Sequence, residues 1–401
     1  MRALTYRLLL VMVFTLPWEG VLDLPGASSL SKLVGLLVAA AWVIAVVVSG
    51  RLREPHLVHV LGLLFVLWNA CSLIWTTDGP ATQERVLTYV QLLGLTLVIW
   101  DTVTTLGALT KALLAYLAGC YVTAVALLVS YASMDPTAGA GDRVTVGTFH
   151  PNDVAMIVAL GVPVAAYLVV TPGSGRWRFL LVSFGVLYLP LAGFAVLVTG
   201  SRTGIAALLP GIVFLGYRLA RRRPALAVAA LGALAGLAVA AFPFAPDHVR
   251  TRLGETEAAI QSGDLNERGA VWAEAIRLIV DHPLHGVGAG AFRGAAVGVN
   301  KVGHNFALSL LAEVGVIGFA LFIGILIAAF ACLPRMTPQL RGMWLALFSA
   351  WMLAALLHNW EYRKQTWFFI GLMVASGFLA EVRRHDDERD HDGASFLGAP
   401  R

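Results

Sequence analysis

Charge is scarce in this sequence. Asp, Glu, Lys and Arg make up 13% of its 401 residues and hydrophobic types 58%, whereas soluble domains carry about 25% charged residues. A soluble globular fold is excluded on that ground. Cysteine is scarce as well. Cys71, Cys120 and Cys332 all fall in apolar runs, so neither a disulfide framework nor a thiolate metal site is supported, and the thiols are expected to be buried in lipid. His282 and His285 lack a third ligand at helical spacing, which leaves a metal site without support. The glycines between Asp281 and Phe292 are not followed by Gly-Lys-Ser/Thr, so this is not a nucleotide P-loop; they read as a flexible turn. The N-terminal apolar run is followed by Pro17, Trp18 and Glu19 in place of a small-residue cleavage site, and is expected to be an uncleaved first span.

What the sequence does have is apolar runs almost end to end. Spans are expected near 6–18, 30–49, 57–75, 85–101, 105–131, 152–170, 178–198, 203–219, 225–243, 304–333, 342–358 and 366–382, about twelve in all at roughly 20 residues each. In lipid the backbone must pair internally, and the runs are too long for barrel strands, so the fold class is all-α, a polytopic membrane protein. No internal repeat is evident.

The net charge is +5, and its placement matters more than its size. With the N-terminus inside, cytoplasmic segments hold Arg2, Arg7, Arg51, Arg53, Arg176, Arg178, Arg218, Arg221, Arg222, Arg223, Arg335, Arg341, Arg383 and Arg384. The short opposite loops hold only Arg85, Arg143, Arg202, Arg363 and Lys364. The positive-inside rule then puts both termini in the cytoplasm and the loops at 132–151, 199–203 and 244–303 outside. Basic residues report topology here, and no nucleic-acid partner is implied. Trp18, Trp68, Trp75, Trp100, Trp351, Trp360 and Trp367 lie mostly near span ends and read as an aromatic membrane belt. The tail from Arg383 to Asp390 reads as solvated and disordered.

The domain organisation follows: a first set of spans over 1–243, an outer loop domain over 244–303, further spans over 304–382 and a charged cytoplasmic tail over 383–401. The loop domain interrupts the apolar sequence with arginines, carboxylates and histidines, and a site is the economical reason for holding them there. Within it, NERGAVWAEAIRLIV has helical period, with Trp272, Ala275, Ile276, Ile279 and Val280 on one face and Glu274 and Arg277 on the other. Too short to span, this helix should lie on the membrane surface.

Several residues on the outer side can carry chemistry. Arg202 sits in a Gly-Ser-Arg-Thr-Gly break, where Ser201 and Thr203 can cap the next helix. A helix N-terminus beside an arginine suits an anion such as phosphate. Arg268 falls on the apolar side of the surface helix, one turn before Trp272, where it needs a counter-anion. His304 opens a span, and its ordinary pKa of about 6.5 fits it to accept a proton. Asn305 beside it can orient a polar ligand, and Glu313, deeper in the span, implies a partner. Arg143, His150, Asn152 and Asp153 precede another span on the same face. Arg143 can make a further phosphate or sugar contact, while Pro151 and Asp153 suit the start of that helix.

In this order, Thr-Gly-Ser-Arg-Thr-Gly, Glu-Arg-Gly-Ala-Val-Trp, His-Pro-Leu-His-Gly-Val-Gly and His-Asn-Phe-Ala-Leu followed by Glu313 and Gly315, the motifs resemble the O-antigen ligase family of bacterial membrane glycosyltransferases. Phe-His-Pro-Asn-Asp at 149–153 is similar as well, and the likeness runs from about 140 to 330. The resemblance implies a GT-C-like membrane fold and an active site on the periplasmic face of the inner membrane. It implies transfer of a glycan from undecaprenyl diphosphate to a hydroxyl of lipid A–core, without metal, nucleotide or other cofactor. Arg202 and Arg268 would hold the diphosphate and His304 would take the hydroxyl proton. Arg143, Asn152, Trp272, Asn305 and Glu313 would line the substrate site. An O-antigen polymerase, a ligase for another surface polysaccharide and a polyprenyl-linked glycan transporter are the competing readings.

Overall fold

Apolar runs of this length in lipid satisfy their own backbone only as helices, and that is the architecture found. The computed structural model describes residues 1–21, 30–134, 143–241, 243, 268–296 and 305–397. The helices are α1 (Arg2–Thr15), α2 (Leu30–Ser49), α3 (Leu57–Cys71), α4 (Gly79–Thr102), α5 (Leu106–Ala132), α6 (Pro151–Val170), α7 (Gly175–Val198), α8 (Arg202–Ala220), α9 (Pro224–Ala241), α10 (Arg268–Asp281), a single turn α11 (Phe292–Ala295), α12 (Phe306–Phe330), α13 (Pro338–Ala355) and α14 (Lys364–Leu397). Among the described residues there is no strand, and eight helices are long and apolar enough to cross a membrane. This is a multi-pass membrane protein.

The bundle is organised around α6, which is buried along most of its length against α7, α8, α13 and α5. Its sequence carries no charge between Val154 and Val170, as a helix enclosed by other helices requires. Local chemistry sets where the helices start. Asp78, Thr105, Thr337 and Ser201 each accept a backbone N–H of the first turn that follows.

Three expectations are corrected by the packing. Trp100, Trp351, Trp360 and Trp367 form no lipid-facing belt but are buried inside the protein. Each indole N–H has an internal acceptor: Glu54 O, Thr366 Oγ1, Asp153 Oδ1 and Glu361 O respectively. Cys120 and Cys332 are buried by protein rather than lipid, and Cys71 is exposed. The charged tail is not disordered through residue 397, because α14 runs on to Leu397.

Candidate functional site

Alternating helices bring the C-terminal ends of α3, α5, α7 and α13 to one face of the bundle, together with the N-terminal ends of α4, α6, α8, α12 and α14. Ion pairs and hydrogen bonds tie these ends together. Arg363 holds Asp153 at 2.6 Å, Lys364 binds Glu19 and Ser31, and Arg143 binds Asn152. Among the described residues, Arg143, Asn152, Arg202, Asn305 and Glu313 belong to this end or to the segments leading into it.

The turn that carries Arg202 is built from short-range bonds. Gly200 adopts φ +61°, Ser201 Oγ accepts Gly204 N–H at 3.1 Å, and α8 begins at Arg202. The capping role expected of Ser201 is therefore present. Arg143 reaches this turn from the segment before α6: its Nε donates to the Thr199 carbonyl at 3.1 Å and Nη2 to Asn152 Oδ1 at 2.7 Å. Arg143, Asn152 and the Gly-Ser-Arg-Thr-Gly break are thus one assembly. Arg202 itself is half-buried at the first position of its helix. His150 caps α6 through Nδ1, with Pro151 in its first turn, as the sequence indicates.

The second part of the site is a broken helix. Gly315 interrupts α12 with φ 65° and ψ −172°. A break at membrane depth frees backbone groups that need partners. The segment after α10 supplies them. Val287 and Gly288 N–H donate to the Ala312 and Glu313 carbonyls at 2.9 and 2.8 Å, and Val316 N–H donates to the Pro283 carbonyl at 2.9 Å. Trp68 Nε1 takes the Val314 carbonyl at 2.8 Å. The glycine-rich turn is therefore a fixed clasp, which corrects its reading as flexible. Gly286 N–H bonds His282 O, Ala289 N–H bonds Ser72 Oγ and Ala291 N–H bonds Gly288 O, each within 3.1 Å.

Glu313 closes the clasp. Its buried carboxylate accepts Gly290 N–H at 2.8 Å and lies 3.5 Å from Arg85 Nη1. Arg85 also lies 3.8 Å from Glu361 and stacks 3.9 Å from the Tyr362 ring. Glu361 is 0% exposed. Burial pushes its carboxyl up to about 8, with nearby Glu313 adding to the rise and Arg85 and Arg363 opposing it. Arg85, Glu361 and Arg363 carry this network, yet sequence reading singled them out only as loop charges or not at all. The signal was the dense polar run His-Asn-Trp-Glu-Tyr-Arg-Lys-Gln at 358–365 between two apolar helices.

Helix α10 lies against the first half of α12. Val271, Ala275 and Leu278 share a small apolar core with Val287, Phe292 and Ala312, edged by Leu308. This rotates the buried face from the expected one: Ile276 and Val280 are 53% and 72% exposed. The loop clasp, not the membrane, takes the Val271 side, which leaves the isoleucine and valine as the outward apolar stripe. Arg277 points away and pairs with Glu274 and Asp281. Trp272 is half-buried on α10. Asn305 is the N-cap of α12, its Oδ1 accepting Ala307 and Leu308 N–H at 3.0 and 3.2 Å. The His282 and His285 rings lie 5.8 Å apart, tilted by 42°, and His285 Nδ1 lies 2.7 Å from the Gly286 carbonyl oxygen. His304 and the side chain of Arg268 lie outside the described residues, as does the outer segment 244–267.

Chemically, this end offers arginines at a helix start and a polar network held by buried charges, beside an amphipathic helix with an outward apolar stripe. No curated protein sequence matches the chain. Residues 187–323 match the family model described as O-antigen ligase. The matched segment runs from α7 through the Arg202 turn, α10 and the glycine clasp to the break in α12, and over it the chain is similar to the O-antigen ligase family.

Proposed function

We propose that the chain is an O-antigen ligase acting on the periplasmic face of the bacterial inner membrane, with both termini in the cytoplasm and about twelve spans. It transfers a polysaccharide from undecaprenyl diphosphate to a hydroxyl of lipid A–core. The hydroxyl oxygen attacks the anomeric carbon with inversion while the bond to the diphosphate oxygen breaks. The proton passes to His304 and undecaprenyl diphosphate leaves. Negative charge grows on the leaving diphosphate. Arg202 and Arg268 bind its oxygens and stabilise that charge without a metal. Base assistance from His304 contributes about 10²–10⁴-fold. Arg143, Asn152, Trp272, Asn305 and Glu313 shape the substrate site. For three of them the structure supports an indirect part. Arg143 and Asn152 brace the Arg202 turn, and Glu313 braces the clasp.

The observation that carries this reading is the matched segment, which contains Arg202, Arg268, His304, Asn305 and Glu313 in sequence. The test is transfer in a purified system containing lipid-linked glycan and lipid A–core, comparing wild type with His304→Ala at matched folding. Transfer by wild type and its loss in the variant, with donor still bound, is expected. Equal transfer by both removes His304 from the mechanism. Chain extension of the lipid-linked glycan without transfer to lipid A–core identifies a polymerase, and no transfer of either kind turns the reading towards transport.

A further inference from the structure

The end of the bundle opposite this site holds a second concentration of charge. Between Asp153 and Asp247 the sequence has no acidic residue, yet it places Arg176, Arg178, Arg218, Arg221, Arg222 and Arg223 at the junctions of α6 with α7 and α8 with α9. Among the described residues, none of these arginines has a carboxylate within ion-pair distance. The positive-inside rule explains their sign. It does not explain why four of them, Arg178, Arg218, Arg222 and Arg223, line one cavity of about 340 Å³.

The cavity is built, not incidental. Arg178 donates to the Leu168 and Val169 carbonyls and Arg222 to the Val170 carbonyl, so two guanidiniums are fixed by the C-terminal end of α6. With its amide oxygen turned towards them, Gln339 accepts from Arg222 and Arg218, each at 3.0 Å. Arg218 Nε is buried with no hydrogen-bond partner. A buried charged donor without an acceptor is costly unless a ligand supplies one. Exposed apolar groups adjoin it: Trp177 and Phe179, either side of Arg178 in the sequence, are 79% and 70% exposed, and Leu226 is among the lining residues. Fixed cations beside exposed apolar side chains match a molecule with an anionic head and hydrocarbon chains.

We propose that this cavity binds the phosphodiester headgroup of one anionic phospholipid, its acyl chains lying against Trp177, Phe179 and Leu226. The proposal does not depend on the reaction assigned to the other end. The test uses the full chain in phosphatidylcholine nanodiscs doped with phosphatidylglycerol, counting lipid retained per chain by native mass spectrometry after release. Wild type is expected to retain one phosphatidylglycerol, with at least a tenfold preference over phosphatidylcholine. Arg218→Gln with Arg223→Gln is expected to lower retention at least tenfold, whereas the charge-matched pair Arg7→Gln with Arg341→Gln keeps it. If the glutamine pair fails to fold, Arg218→Gln alone, judged by its elution profile, serves with an expected loss of at least threefold. Equal retention by the cavity variant and wild type, or no lipid preference, overturns the proposal. So does stabilisation of the protein in pure phosphatidylcholine by inorganic phosphate together with absence of retained phosphatidylglycerol, which would assign the cavity to a free anion.

Discussion

Replacing Gly315 by alanine tests whether the broken helix is held as described. At φ 65° and ψ −172° the residue occupies backbone space that is essentially reserved for glycine, and a side chain there costs about 1–3 kcal/mol. The new Cβ would also stand 2.2 Å from the Leu284 carbonyl oxygen and 2.5 Å from His285 N. Both are backbone atoms, so relief requires the clasp to move. Moving it stretches the bonds from Val316 to Pro283 and from Val287 to Ala312, and a buried backbone group left unpaired costs about 1–3 kcal/mol. The sum is about 2–6 kcal/mol. Gly236→Ala in α9 is the control: nothing lies within 4 Å of its added Cβ, and helix propensity favours alanine by about 0.5–1 kcal/mol. Unfolding would be followed by thermal and denaturant scans in the same detergent, with glycan transfer measured alongside. Gly315→Ala should unfold at markedly lower temperature and lose transfer, while Gly236→Ala is neutral or slightly stabilising. If Gly315→Ala unfolds within about 1 kcal/mol of wild type, the clasp does not hold the break.

Two further outcomes follow from the polar network. Because burial holds the Glu361 carboxyl near pH 8 against an ordinary 4.5, its contribution to stability is fully present below about pH 4.5 and is lost as pH rises through about 8. Glu361→Gln should therefore flatten the fall in unfolding temperature between pH 5 and 8.5 and exceed wild type at the upper end; parallel slopes would show that Arg85, Glu313 and Arg363 do not leave this group protonated. Arg143→Ala removes charged hydrogen bonds to Thr199 and Asn152. A stability loss of about 2 kcal/mol and a clear drop in transfer are expected, with Arg143→Lys recovering little because a single ammonium cannot span both acceptors.

The helical class was legible because apolar runs of span length leave no alternative in lipid, and every described helix longer than one turn overlaps a run or an amphipathic period that predicted it, although α14 runs on past its run to Leu397. The cap at Ser201 was legible for the same local reason. The clasp was not. Gly286, Gly288 and Gly290 announce unusual backbone, but whether such a turn is loose or locked depends on carbonyls released at Gly315, which is far along the chain and adjacent only in the fold. Periodicity also misjudged α10, since it ranks residues by polarity and is blind to which apolar face a neighbour occupies. Tryptophans near span ends were read as lipid anchors because position along a helix says nothing about rotation around it. Arg85 escaped notice for a related reason: its partners, Glu313 and Glu361, come from α12 and the turn before α14.

The clasp has one more consequence. From Gly286 to Ala291 every amide except that of Val287 and Gly288 is bound within its own loop or to a side chain, and those two are bound to α12. A glycine loop with free amides grips phosphate through the main chain, which no point substitution deletes. This one has already given its amides to architecture. Under the proposed function, the grip on a diphosphate falls to side chains such as Arg202 and to the start of α8 instead of to this loop, so much of the affinity is written in residues that a single codon can erase.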